Sequence, residues 1–177
     1  DPEMVQGLIA GDEKAMTVGG EGAEDSLNFG PADLKKRHLT DKDTVVGIAA
    51  SGRTPYVIGG LDYARAMHAA TISLACNADA EISQHAEIAI EVPVGPEVLT
   101  GHPVKSGTAQ KLSVKHAFNG FDDRNWKSYK NLMVDVKPTN AKLVERSKRI
   151  IMQATDADYE TAATVFEKAH QNVKVAS

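Results

Sequence analysis

The sequence predicts an α/β fold, a parallel sheet flanked by helices and followed by a helical C-terminal segment. Three observations predict it. Thr44-Val45-Val46-Gly47-Ile48-Ala49-Ala50 is a continuous apolar, β-branched run, the pattern of a parallel strand covered on both faces. Val57, Ile58, Leu61, Ala64 and Met67 then recur at helical spacing, and Thr71 to Cys76 supplies another strand, so Thr44 to Cys76 makes one βαβ unit of about 30 residues. The last third of the chain carries only helical patterns.

Taken in order, Met4 to Ala10 is short, mostly apolar and closed by Gly11, which reads as a buried strand and a turn. Pro55 suits the first position of the helix after the Thr44–Ala50 strand. Glu87 to Val92 is a further strand, and Lys105 to Ala117 a helix with a thin apolar face. Asn140 can cap a helix carrying Leu143, Ile150, Ile151 and Ala154, and Asp158 one carrying Ala162, Val165, Phe166 and Ala169.

Composition excludes several functions. The 177 residues carry a formal charge of −4, without the clustered Lys and Arg that a phosphate backbone requires, so nucleic acid is not an expected partner. Cys76 is the single cysteine, which fits a reducing compartment, and the cytoplasm is the expected location. No run approaches the roughly 20 apolar residues that span a bilayer, and Asp1-Pro2-Glu3 lacks the positive start of a signal peptide. The six histidines are scattered without metal-ligand spacing, and neither a Walker lysine motif nor a dinucleotide fingerprint is present, so no metal and no cofactor are expected.

The loop Ser51-Gly52-Arg53-Thr54 lies between a parallel strand and a helix. Free N–H groups, the helix dipole, two hydroxyls and a glycine that admits close approach favour a phosphate there. The plainer alternative is that Thr54 only caps the helix and Ser51 only shapes the turn. Gly59-Gly60 inside the helix cost on the order of 2 kcal/mol against alanine, so close packing against the sheet or a ligand is expected to retain them. Glu21, Glu24 and Asp25 read as a solvated helix start. Glu97 follows a strand, where a carboxylate can bind sugar hydroxyls or move protons, and Lys105 follows it in the same loop.

Several strings carry a family likeness: Glu21-Gly22-Ala23-Glu24-Asp25-Ser26, Val46 to Ile58, Val94-Gly95-Pro96-Glu97-Val98-Leu99-Thr100-Gly101, Gly107 to Leu112 and Asn131 to Lys137. In these the chain resembles the N-acetylmuramic acid 6-phosphate etherases, built on the sugar isomerase (SIS) domain, a Rossmann-like parallel sheet flanked by helices. The resemblance implies a SIS domain over residues 1–135 and a helical segment over 136–177. It also implies a cofactor-free lyase of cell-wall recycling that converts N-acetylmuramic acid 6-phosphate to N-acetylglucosamine 6-phosphate and D-lactate, acting as a homodimer on a phosphorylated amino sugar. By the family pattern Glu24 is a proton-transfer residue, and Ser51, Gly52, Arg53, Thr54, Glu97 and Lys105 bind substrate.

Departures from the pattern are specific. The family's second glutamate lies in an upstream Ser-Glu-Cys-Pro-Pro string, and its first glycine-rich loop and last helices also have no counterpart in this sequence. The loop at His102-Pro103-Val104 is one residue short. Lys115, His116, Asp122, Asp123 and Asn125 occupy a segment the family keeps largely apolar, polarity that a core would not accept unpaired, so that segment reads as exposed. Two other functions fit the same fold: a regulatory SIS module that binds sugar phosphates without turnover, as the glucokinase regulatory protein does, and an aldose–ketose isomerase.

Overall fold

The computed structural model describes residues 2–12, 15, 22–124 and 127–176. The chain divides into two compact units, residues 1–113 and 114–177.

In the first unit α1 (Phe29–Lys36) precedes β1 (Thr44–Ala49), α2 (Pro55–Ala66) and β2 (Ala70–Ala75). A 3-10 turn (Glu81–His85) leads to β3 (Ile88–Glu91). The strands form a parallel sheet in the order β1-β2-β3, with Val46 opposite Ile72 and Ile72 opposite Ile88. The three strands and α2 are therefore those the apolar periodicities predict. One face packs on α2, where Ala49, Ile58, Leu61, Ala75, Ala80 and Ile82 form the core. Gly47 is required there, because a Cβ on it would lie 2.7 Å from Val57 Cγ1.

The opposite face is less covered than the unbroken apolar run of β1 implies. Val46, Ile48 and Ile88 are 47%, 41% and 57% exposed, so β1 alternates between a packed and an open side. Met4 to Ala10 is not a strand: after a 3-10 turn at Pro2–Met4 the backbone is irregular, and Met4, Val5, Leu8 and Ile9 are exposed. A strand needs a neighbour for its N–H and C=O groups, and β1 pairs only with β2 among the described residues.

The glycine pair of α2 has a different cause from the one expected. Gly59 and Gly60 face α1 and the chain leading into it, not the sheet. A Cβ on Gly59 would overlap the Leu27 carbonyl oxygen, and one on Gly30 of α1 would overlap the Tyr56 carbonyl oxygen. The Tyr56 hydroxyl donates to Asp33 Oδ2 at 3.0 Å and ties the two helices together. Burial, and then that bond, push the Tyr56 phenol up to about 12, so it remains a donor at neutral pH.

In the second unit the hairpin β4 (Ser128–Tyr129) and β5 (Leu132–Met133) precedes α4 (Ala141–Thr155), α5 (Tyr159–Lys168) and a short α6 (Val173–Ala176). Both predicted caps are present. The Asn140 side chain accepts from the Leu143 N–H and the Asp158 side chain from the Thr161 N–H, each satisfying a donor the helix start leaves unpaired. Ile150, Ile151, Ala162, Phe166 and Val173 are buried in one core. The helix α3 (Val104–Arg124) contains the point of division between the units, and Lys115 and His116 on it are exposed, as their polarity requires. Glu21 and Asn125 lie outside the described residues.

Candidate functional site

Three hydrogen bonds, two of them between backbone groups, shape the carboxyl ends of β1 and β2. The Gly52 N–H donates to Ala49 at 3.0 Å, closing the turn after β1, and the Cys76 N–H and Asn77 Nδ2 both donate to the Ala50 carbonyl, at 3.1 and 3.0 Å. Gly52 adopts φ +70°, a conformation glycine takes at no steric cost. A Cβ there would sit 2.5 Å from Ala80 Cβ, so the close approach this glycine permits is to the segment after β2.

Beyond these ends opens a recess of ≈ 360 Å³, lined by Ser51, Arg53, Asn77, Asp79, Glu81 and Gln84 among others, within the range of small-molecule sites. The sequence rule that pointed to residues 51–54 also applies to residues 77–84, which follow the neighbouring strand, but their helical signal is only a 3-10 turn. Arg53 supplies a positive charge. Asp79 and Glu81 supply carboxylates, which accept hydrogen bonds from hydroxyls and repel phosphate.

The donors of the loop are now specific. The Arg53 N–H donates to Ser51 Oγ at 3.3 Å, which leaves the Ser51 hydroxyl proton to be donated elsewhere. Thr54 occupies the N-cap position of α2, but its side chain makes no capping bond, so the alternative in which it serves only as a cap lacks its hydrogen bond. Among the described residues the Thr54 N–H has no acceptor. It lies at the positive end of the α2 dipole.

Glu24 reaches this helix start by its backbone. Its carbonyl accepts the Tyr56 N–H at 3.0 Å, one of the orphan donors of α2, and its side chain is exposed. The acidic cluster does not start a helix: α1 begins only at Phe29, and residues 22–25 are turns.

Of the predicted site residues Ser51 and Arg53 line the recess, whereas Glu24, Gly52, Thr54, Glu97 and Lys105 do not. Glu97 caps α3: Oε2 accepts the Lys105 N–H, and Oε1 the Ser106 N–H and hydroxyl, each at 2.9 Å. The Lys105 ammonium donates to the Pro96 carbonyl at 2.7 Å. Glu97 still lies near the strand ends: its partner Ser106 accepts at its carbonyl from the Cys76 thiol, just past β2, at 3.6 Å, and burial, then the Glu97 charge, raise that thiol. The backbone N–H groups of Ser106 and Lys105 hold the Glu97 carboxyl below its ordinary range. A depressed carboxylate stabilises the fold above its unfolded pKa, and that stabilisation is lost as pH falls through its folded pKa. The stability difference between the parent protein and Glu97→Gln, followed by urea unfolding, is therefore expected to be largest at neutral pH and to fade on acidification through the carboxylate range. A difference independent of pH would count against the cap.

The profile of the glucokinase regulatory protein N-terminal SIS domain matches residues 1–65. Over 176 residues, 99% of the chain, the sequence is 66% identical to N-acetylmuramic acid 6-phosphate etherase 2 of Lactiplantibacillus plantarum. Over nearly its whole length the chain is similar to N-acetylmuramic acid 6-phosphate etherases. It is also 65% identical to the etherase of Oenococcus oeni and 57% identical to that of Bacillus cereus, each over 99% of its length. The chain spans 60% of the length of each of these relatives. No group of three His, Cys, Asp or Glu side chains among the described residues converges as a metal site, and no described helix is long and apolar enough to cross a membrane.

Proposed function

We propose that this chain is the sugar-phosphate-binding part of a carbon–oxygen lyase that converts N-acetylmuramic acid 6-phosphate to N-acetylglucosamine 6-phosphate and D-lactate. One observation carries the reading: the recess at the strand ends is walled by Ser51 and Arg53 on one side and Asn77, Asp79, Glu81 and Gln84 on the other, with Glu24 fixed to the start of the same α2. The phosphate takes the Ser51 and Thr54 hydroxyls, the Thr54 N–H and the Arg53 side chain, at the positive end of α2. Sugar hydroxyls face the carboxylates and amides of residues 77–84, which would reject a second anion.

The chemistry asks for proton transfer and nothing redox. Ring opening exposes an aldehyde at C1 and acidifies the C2 proton; a base takes that proton, lactate leaves from C3 and water adds to the unsaturated aldehyde. Glu24 is the proton-transfer residue of this chain, and no cofactor takes part. Glu97 and Lys105 contribute to substrate binding by shaping the start of α3 beside the strand ends. The reading includes a SIS domain over residues 1–135, a helical segment over 136–177, a cytoplasmic location and a homodimer. Relatives that match nearly the whole chain are named as etherases, which favours turnover over a regulatory module.

Incubation with N-acetylmuramic acid 6-phosphate, assayed for D-lactate, tests the reaction; absence of lactate with retained binding favours the regulatory module. Ser51→Ala removes one donor and is expected to weaken phosphosugar binding by ~1–3 kcal/mol, read by calorimetry. Unchanged affinity removes Ser51 from the site.

A further inference from the structure

We infer that Glu91 is a positioning residue for the phosphate loop, acting through the segment that follows β2. Glu91 ends β3 and its carboxylate makes three hydrogen bonds to that segment. Oε2 accepts the Asp79 N–H at 2.9 Å, and Oε1 accepts the Ala80 N–H at 3.0 Å and the Ser83 hydroxyl at 2.6 Å. The clamped segment in turn holds the loop. The Ile82 N–H donates to the Gly52 carbonyl at 3.0 Å, and Ala80 packs where a Cβ on Gly52 would fall. Gly52 therefore has its left-handed conformation fixed from outside, by a surface that exists only while residues 79–83 keep their turn.

The same three bonds place the Asp79 and Glu81 positions along one wall of the recess and Ser51 and Arg53 along the other. Ionised Glu91 is an acceptor at both oxygens, which matches a set made only of donors. Glutamine would present an NH₂ where one oxygen now accepts. The negative charge itself does not line the recess, so its effect on an anion is indirect, through the geometry of the wall and loop. The inference rests on the reading of residues 51–54 as the phosphate loop.

The test uses the whole chain with three variants, Glu91→Gln, Glu91→Ala and Ser83→Ala, and two readouts. The first is amide exchange at Ile82, together with the amide chemical shifts of Gly52, Arg53 and Thr54. The second is the affinity for N-acetylglucosamine 6-phosphate, with thermal unfolding as a control. Glu91→Ala is expected to speed Ile82 exchange and weaken binding by about tenfold or more, with Glu91→Gln and Ser83→Ala intermediate and exchange in the α4–α5 helices unchanged. Unchanged Ile82 exchange overturns the inference, and so does a loss of affinity accompanied by equal acceleration of all amides. If the parent chain binds no phosphosugar, the phosphate-loop reading fails, and the Ile82 and Gly52 signals still decide whether Glu91 sets the loop.

Discussion

Glu24→Gln is expected to slow D-lactate release from N-acetylmuramic acid 6-phosphate by 10²–10⁴-fold, the usual contribution of a general acid or base. The substitution keeps the size of the side chain and removes its ability to carry a proton through the reaction. It also leaves intact the link that places this residue, since the Tyr56 N–H bonds to the backbone carbonyl of residue 24 and not to its side chain. Affinity for the phosphosugar should change far less than turnover, because the proposed phosphate contacts lie on residues 51–54. The variant is to be made in a protein that also carries the family's upstream glutamate, so that both proton-transfer groups are present in the parent. Turnover close to the parental rate would show that Glu24 is an exposed turn residue and nothing more.

A methyl group at position 59 should have the largest effect on stability. In an exposed helix, Gly→Ala gains about 1 kcal/mol. Here the added Cβ overlaps the Leu27 carbonyl oxygen, an atom of the backbone that cannot rotate away. Gly59→Ala is expected to destabilise by about 3 kcal/mol, at the upper end of overpacking costs, once the propensity gain is overcome. Its neighbour supplies the control: a Cβ on Gly60 meets Leu34 Cδ1 at 3.7 Å and Gly30 Cα at 3.9 Å, ordinary contacts, so Gly60→Ala should be neutral or stabilising by up to about 1 kcal/mol. Urea unfolding of the two variants checks the pair. Because Leu27 is three residues beyond Glu24, Gly59→Ala should also displace the Glu24 segment and reduce turnover.

The sheet and helix assignments could be read from the sequence because their signals are local. A β-branched run, a helical period behind Pro55 and a second run after it leave little choice for residues 44–75, and Asn140 and Asp158 announce their helices from the cap position. The misreadings involve pairing or packing between distant residues. Met4 to Ala10 has the composition of a strand, but a strand is made by its neighbour. Gly59 and Gly60 look alike in sequence, and only the passage of Leu27 across α2 separates them.

The site divides in the same way. Residues 51–54 stood out because strand, glycine, hydroxyl and helix start are contiguous. Asn77, Asp79, Glu81 and Gln84 join them across the recess, and nothing periodic marks those positions. Glu97 was legible as a carboxylate after a strand, but its bonds run to donors eight and nine residues away, at the start of α3. Glu91, one residue from the end of a predicted strand, had no local signal at all, since its partners lie eight to twelve residues back along the chain.

The most direct measurement is a titration of the ¹⁵N-labelled chain with N-acetylmuramic acid 6-phosphate, followed by the backbone amide signals. The account predicts the largest shifts at Gly52, Arg53 and Thr54, with a second group at Asn77 to Gln84 across the recess and none in α4 or α5. Saturable binding that leaves residues 51–54 unmoved and shifts another part of the chain would contradict it.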